Sequence, residues 1–106
     1  MSVAETNKVD GMGKDKKTGE LLLLITDHLD WSQEGEHLLL LQDKLNSYLG
    51  FIQSGQYAAT YPNDRFTGFV IEIHFQHKVC ENCWKFLRTV AAQTEPFHIK
   101  IRPVET

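Results

Sequence analysis

The chain lacks three patterns that would announce a reaction: a phosphate-binding glycine loop, a serine nucleophile elbow and a cysteine–histidine catalytic arrangement. A non-enzymatic protein is therefore expected. Basic excess is also missing. A formal net charge of −3 argues against nucleic acid as a partner, because phosphates call for a clustered basic face. The longest apolar runs, Leu21 to Ile25 and Leu38 to Leu41, are far too short to span a bilayer, so no membrane partner is expected. The opening MSVAETNKVDGMGKDKK holds no apolar segment of secretory type. Together with only two cysteines, this points to a reducing, cytoplasmic compartment and away from a disulfide framework.

What is present suits one core. A hydrophobic fraction of 42% in 106 residues fits a single compact domain, since two smaller pieces would each bury too little surface. The expected organisation is a flexible segment over residues 1–6 and one α+β domain over residues 7–106.

Periodicity orders the elements. A short strand is expected over Lys8 to Lys14, weakened by Gly11 and Gly13, and a polar loop, Asp15 to Gly19, follows as a hairpin connection. Glu20 to His28 reads as a second strand. Leu38, Leu41, Leu45, Tyr48, Leu49 and Ile52 carry the three–four spacing of an amphipathic helix, with Asp30 or Ser32 as its cap and Gly55 as its stop. Phe69, Ile71, Ile73 and Phe75 alternate with Val70, Glu72, His74 and Gln76 over a strand from Phe66 to Gln76. A second helix spans about Cys80 to Gln93, with Cys83, Leu87, Val90 and Ala91 inward. Phe97, Ile99 and Ile101 form a last strand, ended by Pro103. The order β-β-α-β-α-β predicts an α+β two-layer sandwich, a four-stranded sheet with both helices on one face; strand order stays open.

The stretches TGELLLLITDHLDW and EHLLLLQDKLNSYLGFIQSGQ resemble a family of small bacterial proteins known as a domain of unknown function. The resemblance runs from about Val9 to the end of the chain. It implies a stand-alone bacterial cytoplasmic protein and brings no activity and no residue roles with it.

Four candidate regions carry chemistry. In HFQHKVCENC, the residues His74, His77, Cys80 and Cys83 are of the kinds that bind zinc. Within a strand, however, His74 and His77 have opposite parity, and a buried cysteine behaves as a small hydrophobe. The Cys-x-x-Cys pair at a strand-to-helix junction also invites a redox reading, through the field of the helix N-terminus. Asp27, His28, Asp30, Glu34, Glu36 and His37 crowd the start of the first helix, where carboxylates ordinarily gather; Trp31 is expected to staple that start. His98, Lys100 and Arg102 form a basic strip that Glu72 can answer across the sheet. Tyr57, Tyr61 and Phe66 are expected to cap one end of the core.

The leading functional expectation is a protein-interaction module acting as a homodimer. Met12, Leu22, Leu24 and Val70 would supply an apolar face that the helices leave open, and an unidentified protein partner is the variant of this expectation. The alternatives are a zinc- or thiol-dependent protein using His74, His77, Cys80 and Cys83, and an immunity-type inhibitor presenting the Asp27-to-Glu36 acidic cluster to a basic partner.

Overall fold

The computed structural model describes residue 3, residue 6 and residues 8–105. β1 (Gly11–Lys14) turns through a hairpin into β2 (Leu21–Asp27). Next come α1 (Glu34–Ser54), β3 (Phe69–Phe75), α2 (Glu81–Thr94) and β4 (Ile99–Glu105), with short 3₁₀ turns at Gln56–Ala59 and Glu95–Phe97. The architecture is α+β, in the expected order β-β-α-β-α-β. Strand order in the sheet is β1-β2-β3-β4, so the last strand lies at an edge. β1 runs antiparallel to β2, while β2, β3 and β4 are mutually parallel. The β2–α1–β3 and β3–α2–β4 crossovers advance in the same direction, and both helices pack on the same face.

That face holds the core. Leu21, Leu23 and Ile25 of β2, Ile71, Ile73 and Phe75 of β3, and Ile99 of β4 pack with Leu41, Leu45, Tyr48 and Ile52 of α1 and Cys83 and Leu87 of α2. Alternation along β2 and β3 places every second side chain there, as period-two patterning requires. α1 ends on Gly55 in the left-handed conformation, φ 75°, whose N–H returns to the carbonyls of Ile52 and Phe51.

Several boundaries shift. β1 begins at Gly11, and α1 begins at Glu34 behind Gln33, without a side-chain cap. Asp30 accepts hydrogen bonds from the N–H and the hydroxyl of Ser32 instead, closing its own turn. β4 continues through Pro103 to Glu105, which an edge strand tolerates because its outer side needs no donor. Of residues 1–6, Val3 is fully buried in the core and donates its N–H to the Thr26 carbonyl at 2.8 Å. Residues 1, 2, 4, 5 and 7 of the N-terminal stretch lie outside the described residues.

Two buried polar contacts fasten α1 to the sheet side. Lys44 Nζ lies 2.8 Å from Asp10 Oδ1 and donates to the Lys8 carbonyl at 2.6 Å; its side chain is 0% exposed and that of Asp10 1%. Tyr48, one turn further on, accepts the Asp10 N–H at 2.7 Å and donates its hydroxyl to the Leu24 carbonyl. It thereby bridges the two backbones where the β1–β2 ladder ends. Burial beside Asp10 raises the phenol pKa, so this donor keeps its proton. The second contact, between Asp27 and His37, lies at the other end of the helix's buried stripe.

Candidate functional site

The carboxyl ends of parallel strands are where ligands bind in many α/β sheets, and the chemistry-bearing residues gather there. Asp27 closes β2, and its Oδ2 lies 2.6 Å from His37 Nε2 in the first turn of α1. The other oxygen accepts the Leu29 N–H at 3.1 Å. His37 Nδ1 faces the Asp30 carbonyl at 2.9 Å. A carbonyl oxygen only accepts, so Nδ1 donates to it, and Nε2 is held against the Asp27 carboxyl. Trp31 stacks on the imidazole at 3.7 Å between ring centroids and 15° between planes, with Phe75 behind it. Both ring nitrogens are thus committed, and the side chain is 2% exposed. A general base needs a free nitrogen within reach of substrate. This histidine instead joins the end of β2 to the start of α1.

The thiols neighbour this clamp. Cys80 occupies the cap position of α2, and Cys83 is fully buried in the core. Glu34, at the start of α1, accepts from Asn82 Nδ2 at 3.1 Å and from the Cys80 thiol. The second of these bonds is the main reason its carboxyl pKa falls. Burial first, then the Glu34 carboxylate, raises the Cys80 thiol. Burial, with Cys80, Asp27 and Glu34 adding negative charge, pushes the Cys83 thiol up to about 12. Any pull from the helix N-terminus is overcome, so both sulfurs are protonated near neutrality, the reverse of an activated thiol pair.

The zinc candidates do not converge. His74 lies on the open face of β3, hydrogen-bonded to Glu72 at 2.5 Å. His77 follows the strand, Cys80 caps α2, and Cys83 points into the core. Among the described residues, no group of three or more His, Cys, Asp or Glu side chains is placed to hold a metal ion. The acidic cluster is divided as well: Asp27 is buried against His37, and the half-buried or exposed carboxylates are those of Asp30, Glu34 and Glu36. Tyr57, Tyr61 and Phe66 do form an aromatic cap, with edge-to-face contacts at 5.7 Å between ring centroids.

Among the described residues, the sheet's other face has no helix. The ladder puts Gly11 and Gly13 of β1, Leu22, Leu24 and Thr26 of β2, Val70, Glu72 and His74 of β3, and Lys100, Arg102 and Val104 of β4 on that side. Its β3–β4 half is ionic. Glu72 accepts from His74 and, at 3.2 Å, from Arg102 Nη1, while Lys100 Nζ lies 3.2 Å from Glu20 Oε2. The expected pairing across the sheet is therefore present, with Glu20 as a second acid. Its β1–β2 half is apolar, with Leu22 and Leu24 half-buried.

Two of the four expected interface residues sit differently. Met12 pairs with Leu23 and so points to the helix side, where it packs on the core. Val70 is on the open side, yet it is 0% exposed, between Leu22 and Lys100 in the ladder. Sequence reasoning missed the Asp10–Lys44 pair. Its signal was available: positions 37, 41, 44, 48 and 52 continue one helical stripe, and a lysine on such a stripe needs a buried acceptor.

Among the described residues, no helix is long and apolar enough to cross a membrane. No curated protein and no solved structure matches the chain. One family model does, over residues 1–104, so the chain belongs to DUF6572, a family of unknown function.

Proposed function

We propose that this protein is a non-enzymatic, cytoplasmic interaction module that works as a homodimer through the helix-free face of its sheet. The observation that supports it is the pair Leu22 and Leu24. These are two partly exposed leucines, two residues apart on an inner strand, bordered on one side by glycines and on the other by a strand pair carrying ion pairs. An apolar patch with a polar rim is the usual anatomy of an association surface. The commitment of both His37 nitrogens and the protonated state of both thiols support the non-enzymatic half of the reading.

Sedimentation velocity of the native protein and of a Leu22→Ser, Leu24→Ser double variant tests it. The native chain should sediment as a dimer and the variant as a folded monomer. A variant that keeps the native oligomeric mass would remove this face from the interface.

A further inference from the structure

Neither Cys80 nor Cys83 belongs to the open sheet face, and both are free thiols. Their places differ in a way that matters for oxidation. Cys80 stands at the cap position of α2 with extended backbone, φ −76° and ψ 161°, and is partly exposed. Cys83, the third residue of the helix, has no accessible surface and packs in the core. The Cys80 carbonyl accepts the Trp84 N–H at 3.1 Å, so one closed helical turn joins the two cysteines. Residues three apart on a helix are neighbours, with Cβ atoms roughly 5–6 Å apart. A disulfide needs Cβ atoms about 3.5–4.5 Å apart. Cys80 lies outside the helix proper, so a rotation there brings the sulfurs together without unwinding α2.

Access orders the chemistry. A dissolved oxidant reaches Cys80 and not Cys83, while Cys83 reaches only what is bound to Cys80. A low-molecular-weight disulfide, such as oxidised glutathione, is the reagent this arrangement takes. Cys80, as its thiolate, attacks one sulfur of that disulfide; the S–S bond breaks, and one glutathione leaves with the proton Cys80 gave up. The Cys83 sulfur then attacks the Cys80 sulfur, the mixed disulfide breaks, and the second glutathione leaves with the Cys83 proton. Two protein thiols become one disulfide, and one glutathione disulfide becomes two thiols. Burial and the neighbouring carboxylates keep the thiolate fraction small, so the exchange is slow. They do not oppose the product, because a disulfide is uncharged. Closure also reaches α1. The Cys80 thiol donates to Glu34, and a sulfur within a disulfide has no hydrogen to give. Asn82, which donates to Glu34 at 3.1 Å, would then hold that carboxylate without it.

Independently of the dimer reading, we infer that Cys80 and Cys83 form a redox modification site, which a small disulfide closes into a bridge across the first turn of α2, detaching Cys80 from Glu34. Intact-mass spectrometry after incubation with oxidised glutathione tests this on the native protein, Cys80→Ser and Cys83→Ala. Circular dichroism checks folding, and dithiothreitol checks reversal. The native chain should lose two hydrogens and keep no glutathione. Cys83→Ala should stop with one glutathione on Cys80, and Cys80→Ser should react at least roughly tenfold more slowly, since its remaining thiol is buried. The Glu34 carboxyl, held below its ordinary 4.5 chiefly by the Cys80 thiol, should titrate higher in the oxidised native chain, as NMR would record. A native chain that retains one glutathione as Cys83→Ala does, or that reacts only once unfolded in urea, would overturn the site. A Glu34 titration unchanged by oxidation would overturn the link to α1.

Discussion

The two faces of the sheet differ by one residue of register along the same strands. Leu21, Leu23, Ile25, Ile71 and Ile73 have no accessible surface and meet two helices. Leu22, Leu24, Glu72 and His74, their immediate neighbours in sequence, stay partly exposed. The covered face places its ion pair where solvent cannot screen it, as Asp10–Lys44. The open face carries its charges on the surface, as Glu72–Arg102 and Glu20–Lys100. The same interactions therefore differ greatly in consequence. Removing one partner of a buried pair strands a charge, whereas removing one partner of a surface pair hands the other to water.

The sharpest way to break this comparison is Lys44→Ala. It should lower unfolding free energy by about 3–5 kcal/mol, because the Asp10 carboxylate keeps its burial and loses its counter-charge. Urea denaturation measures it, and a loss below about 1 kcal/mol would place this pair on a par with surface pairs. Next, Leu23→Ala should cost about 2–5 kcal/mol through the cavity it leaves. Leu24→Ala, one residue along on the open side, should cost the monomer roughly 1 kcal/mol. Equal losses would mean that both faces are core.

A third test concerns the thiols. With Cys83 pushed up to about 12 by burial and Cys80 raised as well, alkylation by iodoacetamide at neutral pH should leave Cys83 unmodified until the protein unfolds. Rapid modification of the native protein would reopen the thiol reading. The smallest expected effect is on the open face. His74 first, then Arg102, lowers the Glu72 pKa below its ordinary 4.5. A depressed carboxyl contributes stability above its unfolded value and loses it as pH falls through the folded one. Glu72→Gln should thus cost about 0.5 kcal/mol at pH 7, a difference that disappears in acid below pH 4.5. Comparing urea midpoints at the two pH values checks this, and a difference that grows in acid would contradict the sign.

Much of the fold was legible in the sequence because period-two and three–four spacings are local. β2, β3 and both helices follow from their own residues, and so do the order of elements and the single covered face. Contacts across long separations were harder to read. Met12 was expected on the open side, but the hairpin register pairs it with Leu23, and a one-residue shift reverses every side chain of a strand. Val70 was read correctly as facing away from the helices, yet it is 0% exposed there, which no alternation pattern reports. Lys44 falls on the buried stripe of its own helix, but its acceptor Asp10, 34 residues away, is named only by the tertiary fold. Of the candidate sites, the His–Cys series was doubted on strand parity, but β3 ends at Phe75, and it is the burial of Cys83 in the core and the pairing of His74 with Glu72 that keep the four apart. The Asp27–His37 clamp was not legible, because it depends on how far the chain runs past β2 before α1 begins.

The central claim is that the open sheet face joins two copies of this chain. Native mass spectrometry of the untagged, reduced protein, purified without chelator, tests it most directly. The expected result is twice the chain mass with no metal increment. A single chain mass would contradict the dimer, and a zinc-sized increment lost in acid would return attention to His74, His77, Cys80 and Cys83.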